Sequence, residues 1–296
     1  MKNIKLRLII MAWLIFASNT LVAQYDKSSS KKKNNDKVSY GLISINYISD
    51  AVFMGRKDSI SAPYLYPSVL YHHKSGLYAK GSFSYLTKAN ESRIDLFLLT
   101  AGIDFSVNDF SGDLSVTKYF FNNDSYNVIS DVQADLTASL DYDFNVFNLS
   151  VSASSYFNKN SNTDFFLSSE ISHDFSSSNE KFQISPTIGA YLGSQNFYEE
   201  YYINSKIRSG SGNGAGSVGT ITDATTIAIQ EGQKFNIMAY ELSMPMWYTE
   251  NSFIISFIPA VVFPQNEATL LMDETTVIKE NLKETFYWVV GLTYTF

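Results

Sequence analysis

The sequence predicts an all-β fold: a single closed antiparallel transmembrane β-barrel of about twelve strands, after a cleaved signal peptide. Three observations lead to this prediction. The N-terminus has the pattern of a secretory signal. From Val38 onward, apolar and polar residues alternate with a period of two. The last predicted strand is rich in aromatic residues and stops at Phe296.

The signal peptide is predicted at residues 1–23. Cations at Lys2, Lys5 and Arg7 precede an apolar run at 8–17, and small residues around Ala23 offer a cleavage site. A short membrane anchor is the alternative, but the apolar run is too short to cross a bilayer of ~30 Å. Residues 24–37 are polar, basic and without periodicity, which predicts a flexible periplasmic lead-in. The barrel itself is predicted at 38–296.

Composition narrows the class of protein. Charged residues make up 17% of the chain and aromatic residues 15%, whereas about 25% charged residues is usual in a soluble domain. The absence of cysteine excludes disulfides, thiolate nucleophiles, cysteine-based zinc sites and a lipid-anchored N-terminal cysteine. Without the three cations of the signal, 19 of the 22 basic residues remain against 29 acidic ones. This acidic balance argues against a nucleic-acid partner.

The last predicted strand, 283–296, shows the alternation best. Its two faces differ in chemistry, as expected of a strand between lipid and lumen. The apolar face, with aromatic residues at both ends, carries Phe286, Trp288, Val290, Leu292, Tyr294 and Phe296, and the other carries Thr285, Tyr287, Val289, Gly291, Thr293 and Thr295.

Eleven further segments repeat this pattern, and each has the ~9–11 residues that a tilted membrane strand needs. An even total suits a bacterial single-chain barrel. The eleven are 38–49, 62–73, 77–88, 92–107, 109–121, 126–143, 145–157, 163–175, 180–194, 233–249 and 252–263.

Link lengths predict the direction of the strands. If Phe296 lies on the periplasmic side, the short links at 73–76, 108, 144, 176–179 and 249–252 are periplasmic. The long links at 50–61, 195–232 and 264–282 are then extracellular, together with three short links at 89–91, 122–125 and 158–162 that depart from the alternation. A soluble β-sandwich is the alternative, but it has no reason to alternate short and long links in this way.

Some details interrupt the pattern. The apolar phase slips between Leu98 and Leu99, which predicts a bulge. Segment 252–263 is apolar on both faces. Prolines at 67, 186, 245 and 259 fall inside predicted strands, where each removes one hydrogen bond of the sheet. Kinks or bulges are expected at these points.

The chain resembles outer-membrane β-barrel proteins of Bacteroidota-type bacteria. The resemblance rests on the signal ending LVAQ, on strands rich in Tyr, Phe, Ser and Asn, and on the terminal FYWVVGLTYTF. It does not extend to a named family of known function. The resemblance implies a location in the lipid bilayer of the outer membrane. It also implies that Phe296, Tyr294 and Leu292 form the assembly signal recognised by the barrel-assembly machinery.

The sequence contains no convincing catalytic or metal-binding constellation. Its three histidines, His72, His73 and His173, all fall at predicted periplasmic ends of strands, away from the outer leaflet. Ser172 and Asp174 flank His173, but neighbouring residues on a strand point to opposite faces. The prediction is therefore a protein that is not an enzyme, with no metal and no cofactor.

The predicted lumen is acidic, which favours cations or neutral polar solutes. The function predicted from it is a passive channel for such small solutes. A closed barrel that is a structural or assembly subunit, with an envelope protein partner on the long loops at 195–232 and 264–282, is the alternative; an outer-leaflet lipid hydrolase is the least favoured. The predicted lumen carboxylates are Asp113, Asp131, Asp135, Asp141, Glu170, Asp174 and Glu241, and the predicted lumen cations are Lys80 and Arg93.

Overall fold

A computed structural model of the chain describes residues 38–57, 61–88, 91–159, 161–197, 227–230, 232–272, 276–279 and 282–296. The predicted signal peptide at 1–23 and lead-in at 24–37 lie outside the described residues and stay predictions. In the part of the chain so described, no helix is long and apolar enough to cross a bilayer.

The described residues form eighteen β-strands. They are β1 (Tyr40–Ile48), β2 (Tyr64–His72), β3 (Leu77–Leu86), β4 (Arg93–Val107), β5 (Phe110–Phe121), β6 (Val132–Asp143), β7 (Asn148–Asn158), β8 (Asp164–Ser172), β9 (Phe175–Ser176), β10 (Phe182–Ile184), β11 (Thr187–Gly193), β12 (Ile227–Gln230), β13 (Asn236–Ser243), β14 (Met246–Glu250), β15 (Phe253–Pro264), β16 (Thr269–Met272), β17 (Thr276–Lys279) and β18 (Thr285–Thr295).

Fifteen of these strands form one antiparallel sheet that closes on itself. Strand β1 pairs with both β2 and β18, and β13 pairs with both β11 and β15, so the ring has no free edge there. Three barrel strands are interrupted: β8 continues as β9, β10 as β11, and β13 as β14. Counted with these, the ring has twelve strands, and the predicted fold class is confirmed.

The prolines explain two interruptions. Pro186 separates β10 from β11, and Pro245 separates β13 from β14, because proline has no N–H to donate to the sheet. The gaps stay connected: the Ser185 amide donates to the Pro245 carbonyl at 2.9 Å. Pro67 and Pro259 instead lie within continuous strands β2 and β15.

Two boundaries differ from the prediction. The bulge expected between Leu98 and Leu99 lies a little earlier, where Asp95 and Leu96 are both buried and the β3–β4 register shifts. The sixth strand begins at Val132 rather than at 126, because residues 128–131 form a turn and the amides of Asn127, Ile129 and Ser130 are bonded locally.

The outward face of the barrel is apolar. Large aliphatic and aromatic side chains are exposed around the whole ring, a surface that is costly in water and suits lipid. Examples on successive strands are Ile43, Val69, Leu77, Leu99, Val116, Leu140, Val151, Ile171, Ile188, Leu242, Ile255 and Val290. The fold is that of a membrane-spanning barrel of the outer-membrane type.

Links between the strands define two ends. At the short-turn end, residues 73–76, 108–109, 144–147, 177–181 and 251–252 connect neighbours. At the long-loop end, the two longest predicted loops contribute β12, β16 and β17, which form a separate three-stranded antiparallel sheet. The glycine-rich segment 209–219 lies outside the described residues.

The ring closes where the two ends of the barrel sequence meet. The Phe296 amide donates to the Gly41 carbonyl at 3.0 Å, and the Gly41 amide donates back at 2.9 Å. The Phe296 ring covers Gly41 so closely that a Cβ there would lie 2.4 Å from it. Phe296, Tyr294 and Leu292 all expose their side chains outward; their role as an assembly signal stays a prediction.

Candidate functional site: the lumen and its mouth

Tyrosine hydroxyls hold the inward carboxylates. The pairing follows from alternation, since tyrosine and carboxylate positions of nearby strands share the inward face. Each carboxylate gains a donor that offsets part of its desolvation cost. The pairs are Tyr64 with Asp95, Tyr78 with Asp113 at 2.8 Å, Tyr119 with Asp135 at 2.7 Å, Tyr191 with Glu170 at 2.6 Å and Tyr287 with Glu241 at 2.8 Å.

Carboxylates also lie close to one another on neighbouring strands. Asp104 of β4 is directly opposite Asp113 of β5, where side chains on one face are about 4.5–5.5 Å apart at Cβ. Glu170 of β8 and Glu241 of β13 both pair with Gly189, which lies between them. Neither pair has a cation between its members in these registers, so acidic side chains are concentrated on this part of the inner surface.

A buried histidine, His72, is paired with one of these carboxylates near the short-turn end. Nε2 of His72 lies 2.8 Å from Oδ2 of Asp104, and both side chains are almost fully buried. The imidazole is stacked between the rings of Tyr40 and Tyr78, at centroid distances of 4.7 and 6.4 Å. The stacking fixes the plane of the ring.

The two predicted lumen cations differ. Lys80 is buried on β3 and forms no ion pair with any described residue. Arg93 lies at the long-loop end, where Nε donates to Asp95 at 2.6 Å and Nη2 to the Asp124 carbonyl at 2.5 Å. Its guanidinium lies over the Tyr126 ring at 4.8 Å.

Glu91 joins this rim cluster outside the strands. Its carboxylate accepts from Lys88 at 2.8 Å and from the Tyr126 hydroxyl at 2.7 Å. The hydrogen bond from Lys88, followed by that from Tyr126, lowers the pKa of Glu91 below its usual range. The carboxylate is therefore charged at neutral pH and ties two loops together.

The remaining predicted carboxylates lie nearer the ends of the barrel. Asp131 is in the turn before β6 and accepts from Ser161 at 3.1 Å. Asp174 lies between β8 and β9 and accepts from Asn148 at 3.2 Å and from Ser185. Asp141 is on β6 and accepts from Ser150 at 2.5 Å. The structure thus spreads the predicted acidic set over the whole length of the lumen.

Sequence reasoning missed Asp95, Asp104 and the His72 partnership. Asp104 could have been found, because Ile103 and Phe105 on either side of it belong to the outward apolar phase of β4. Asp95 lies at the bulge, where alternation alone assigns no face. The contact between His72 and Asp104 crosses β3, and nothing local in the sequence indicates it.

At the long-loop end, residues 51–57 fold into the mouth; we call them the plug segment. They leave β1 and reach the opposite side of the ring, since Phe53 packs against Tyr156 of β7 and Phe166 of β8. The Phe53 ring also meets Phe197 edge-on at 5.2 Å. Only 2% of the Phe53 surface is exposed, so the segment is packed like a core.

Arg56 fixes the plug segment to the part of the ring formed by β13 and β15. Its Nη1 donates to the carbonyls of Met54 and Met238 at 3.0 and 3.1 Å, and its Nη2 to those of Gln265 and Asn266 at 3.0 and 2.7 Å. The side chain is 1% exposed. A guanidinium has five donors in a planar fork, which suits several carbonyls at once.

Asp50 fixes the near end of the plug segment. Its Oδ1 accepts from the amides of Ala51 and Ala62 at 3.1 and 3.0 Å, and its Oδ2 accepts from Lys57 at 2.7 Å. On β15, which only β18 separates from β1, inward Ile258, Ala260 and Val262 belong to the same buried cluster as Phe53 and Met54. The apolar inner face of β15 is therefore part of the packing around the plug segment.

The described side chains show no metal centre: no group of three or more histidine, cysteine or carboxylate residues among them is arranged to hold an ion. His73 and His173 bond to Ser75 and to the Val146 carbonyl near the short-turn end.

No protein-family model matches the chain, and no curated protein matches it. Among solved structures it is similar to the NanC porin, with 9% identity and a TM-score of 0.47 over 86% of this chain and 98% of that chain. It is also similar to the KdgM porin, with 9% identity and a TM-score of 0.46 over 86% of this chain and 99% of that chain. A third similar structure is LpxR from Salmonella typhimurium, with 10% identity and a TM-score of 0.42 over 86% of this chain and 99% of that chain.

Proposed function

We propose that the protein is a passive channel of the outer membrane for small polar or cationic solutes. One observation carries the proposal: five of the twelve strands of the ring place carboxylates on the inner surface, including Asp104, Asp113, Asp141, Glu170 and Glu241, whereas Lys80 is the one buried lysine among the described residues. Such a surface raises the local concentration of cations and repels anions.

Hydroxyl groups support the same proposal. Between the carboxylates, inward positions carry serine and threonine, among them Ser82, Thr100, Ser115, Thr137 and Ser152. Hydroxyls both donate and accept, so they can replace the water around a polar solute. Some inward polar atoms, such as the Asp104 Oδ1 and the His72 Nδ1, have no hydrogen-bond partner among the described residues. Atoms of this kind need water or a solute as partner.

The plug segment makes the proposed channel a gated one. With Phe53 and Arg56 buried across the mouth, passage requires this segment to move. A closed barrel that acts as a structural or assembly subunit is the second candidate, and the burial of Phe53 and of most inward side chains is the observation that favours it. An outer-leaflet hydrolase finds less support, because the His72–Asp104 pair lies near the short-turn end.

The proposed location includes cleavage of the signal near Ala23 and insertion by the barrel-assembly machinery, through Phe296, Tyr294 and Leu292. A Bacteroidota origin is part of the same proposal. No cofactor is proposed, and an envelope protein partner belongs only to the second candidate.

Planar-bilayer conductance of the pure, refolded protein tests the function. We expect discrete steps with a reversal potential on the cation-selective side under a salt gradient. An Arg56→Gln variant, in which the plug segment is loosened, should show more frequent open steps. If neither the natural chain nor this variant conducts, the channel is refuted and the closed barrel stands.

A further inference from the structure

The plug segment occupies a site that other parts of the chain build. Its aromatic pocket consists of Tyr156 of β7, Phe166 of β8 and Phe197. The Phe197 ring is held in place because its own amide donates to Asp164 Oδ2 at 2.7 Å. The pocket is thus fixed by the barrel strands and receives Phe53 as an inserted group.

The acceptor group of the same site is a set of main-chain carbonyls at Met238, Gln265 and Asn266. They converge on one side chain, Arg56. The Met238 carbonyl also accepts from the Gln265 amide at 2.7 Å, and the Asn266 carbonyl also accepts from Gln195 Nε2 at 3.3 Å. A carbonyl oxygen has two lone pairs, so each can accept a guanidinium donor in addition. When the plug segment leaves, the mouth presents an aromatic pocket beside acceptors for a donor-rich cation.

The plug segment is held by these two groups, beyond its anchor at Asp50. Its own backbone forms only a tight turn, with Phe53 and Arg56 exchanging hydrogen bonds at 2.7 and 2.8 Å. The turn brings an aryl ring and a guanidinium together at a short sequence spacing. A soluble peptide with the same spacing carries the same two groups in the same order.

We infer that the mouth is a binding site for peptides that combine an aromatic and an arginine side chain, and that the plug segment is its built-in occupant. Binding of such a peptide and closure by the plug segment exclude each other. The acidic chain, with a net charge of -7, attracts cationic peptides to the mouth. The inference deepens the proposed channel function, because it names a class of ligand that competes with the gate.

The test uses the full-length refolded protein and two fluorescent, end-blocked pentapeptides. One has the sequence of residues 52–56, Val-Phe-Met-Gly-Arg, and the control is Val-Ala-Met-Gly-Gln. Binding is measured by anisotropy to the natural chain, to the double variant Phe53→Ala/Arg56→Gln, and to Lys74→Gln. The last removes an exposed cation at the short-turn end, away from the plug segment.

We expect the first peptide to bind the double variant at least about tenfold more tightly than the natural chain, a difference of about 1.4 kcal/mol. The control peptide should bind the natural chain and the double variant equally, and Lys74→Gln should bind both peptides as the natural chain does. Equal affinity of the first peptide for all three proteins, or equal affinity of both peptides for the double variant, overturns the inference. If the double variant fails to fold, as judged by heat-modifiable gel mobility, Phe53→Leu replaces it with the same criteria.

Conductance recorded on the same samples separates this inference from the channel. Peptide discrimination without conductance leaves the binding site standing and removes the channel. Conductance without peptide discrimination supports the channel and overturns the peptide-binding site.

Discussion

Asp104 lies directly opposite Asp113 on the neighbouring strand, and each carboxylate takes a hydrogen bond from a ring on a different strand, His72 for Asp104 and Tyr78 for Asp113. The two partners belong to β2 and β3. Two acidic side chains are thus held together by side chains of adjacent strands. Their joint field is the strongest reason to expect selection for cations.

Asp113→Asn should reduce the ratio of cation to anion permeability by about two- to tenfold, because one of two facing charges is removed. The measurement is the reversal potential in a planar bilayer under a potassium chloride gradient. Asp109→Asn is the matched control, since this residue lies exposed in a short turn outside the lumen. A conducting Asp113→Asn barrel with unchanged reversal potential would contradict the assignment.

Tyr119→Phe should lower the free energy of unfolding by about 1–3 kcal/mol, because Asp135 then keeps a buried oxygen with one donor fewer. Urea unfolding in lipid vesicles, followed by tryptophan fluorescence, measures the change. Tyr71→Phe is the control, as its ring faces lipid and is exposed. Equal losses in both variants would show that the hydrogen bond to Asp135 contributes nothing specific.

Gly41→Ala should disturb the closure of the ring, because its new methyl group would lie 2.4 Å from the Phe296 ring. We expect a loss of about 1–3 kcal/mol, the usual cost of overpacking, seen as a smaller heat-modifiable fraction on gels. Gly81→Ala is the control, since its nearest neighbour would be 3.8 Å away. In a Phe296→Ala background, Gly41→Ala should lower the stability of the barrel only slightly, because the ring that the methyl group meets is gone. If Gly41→Ala destabilises this background as much as the natural chain, contact with Phe296 is not the cause.

The rim carboxylate Glu91 should titrate below its ordinary pKa of 4.5. Because its folded pKa is lowered, its link to Lys88 and Tyr126 stabilises the rim above the ordinary pKa and is lost as pH falls through the lowered one. Carbon-13 NMR of labelled glutamate measures the value. Lys88→Gln and Tyr126→Phe should each raise it, and Tyr71→Phe should not. A Glu91 pKa at or above the ordinary value in the natural chain would contradict the geometry.

The barrel was predictable because alternation is a local property of the sequence. In β18, Phe286 through Phe296 alternate between lipid and lumen as the residue types indicate, and the closed ring follows from repetition of that pattern. The segregation of short and long links to opposite ends followed from the sequence in the same way, and the periplasmic position of the short-turn end stays a prediction. The bulge was misplaced because Asp95 and Leu96 are both buried, a choice made by packing.

The plug segment could not be predicted. Phe53 and Arg56 stand in a link that reads as an ordinary loop, and their partners are distant in sequence: Tyr156, Phe166 and the carbonyl of Met238. The same holds for Tyr78 and Asp113, which meet across an intervening strand. Such contacts depend on the tilt and stagger of the closed ring, which no single strand encodes.

The hydrogen bonds of Arg56 have a consequence for which amino-acid substitutions the mouth tolerates. All four of its acceptors are main-chain oxygens, and every residue type supplies one. Substitutions at Met238, Gln265 or Asn266 therefore leave the fastening intact as long as the backbone keeps its path. Replacement of Arg56 itself, in contrast, removes all of these bonds at once, and closure then depends on Phe53 and Asp50 alone.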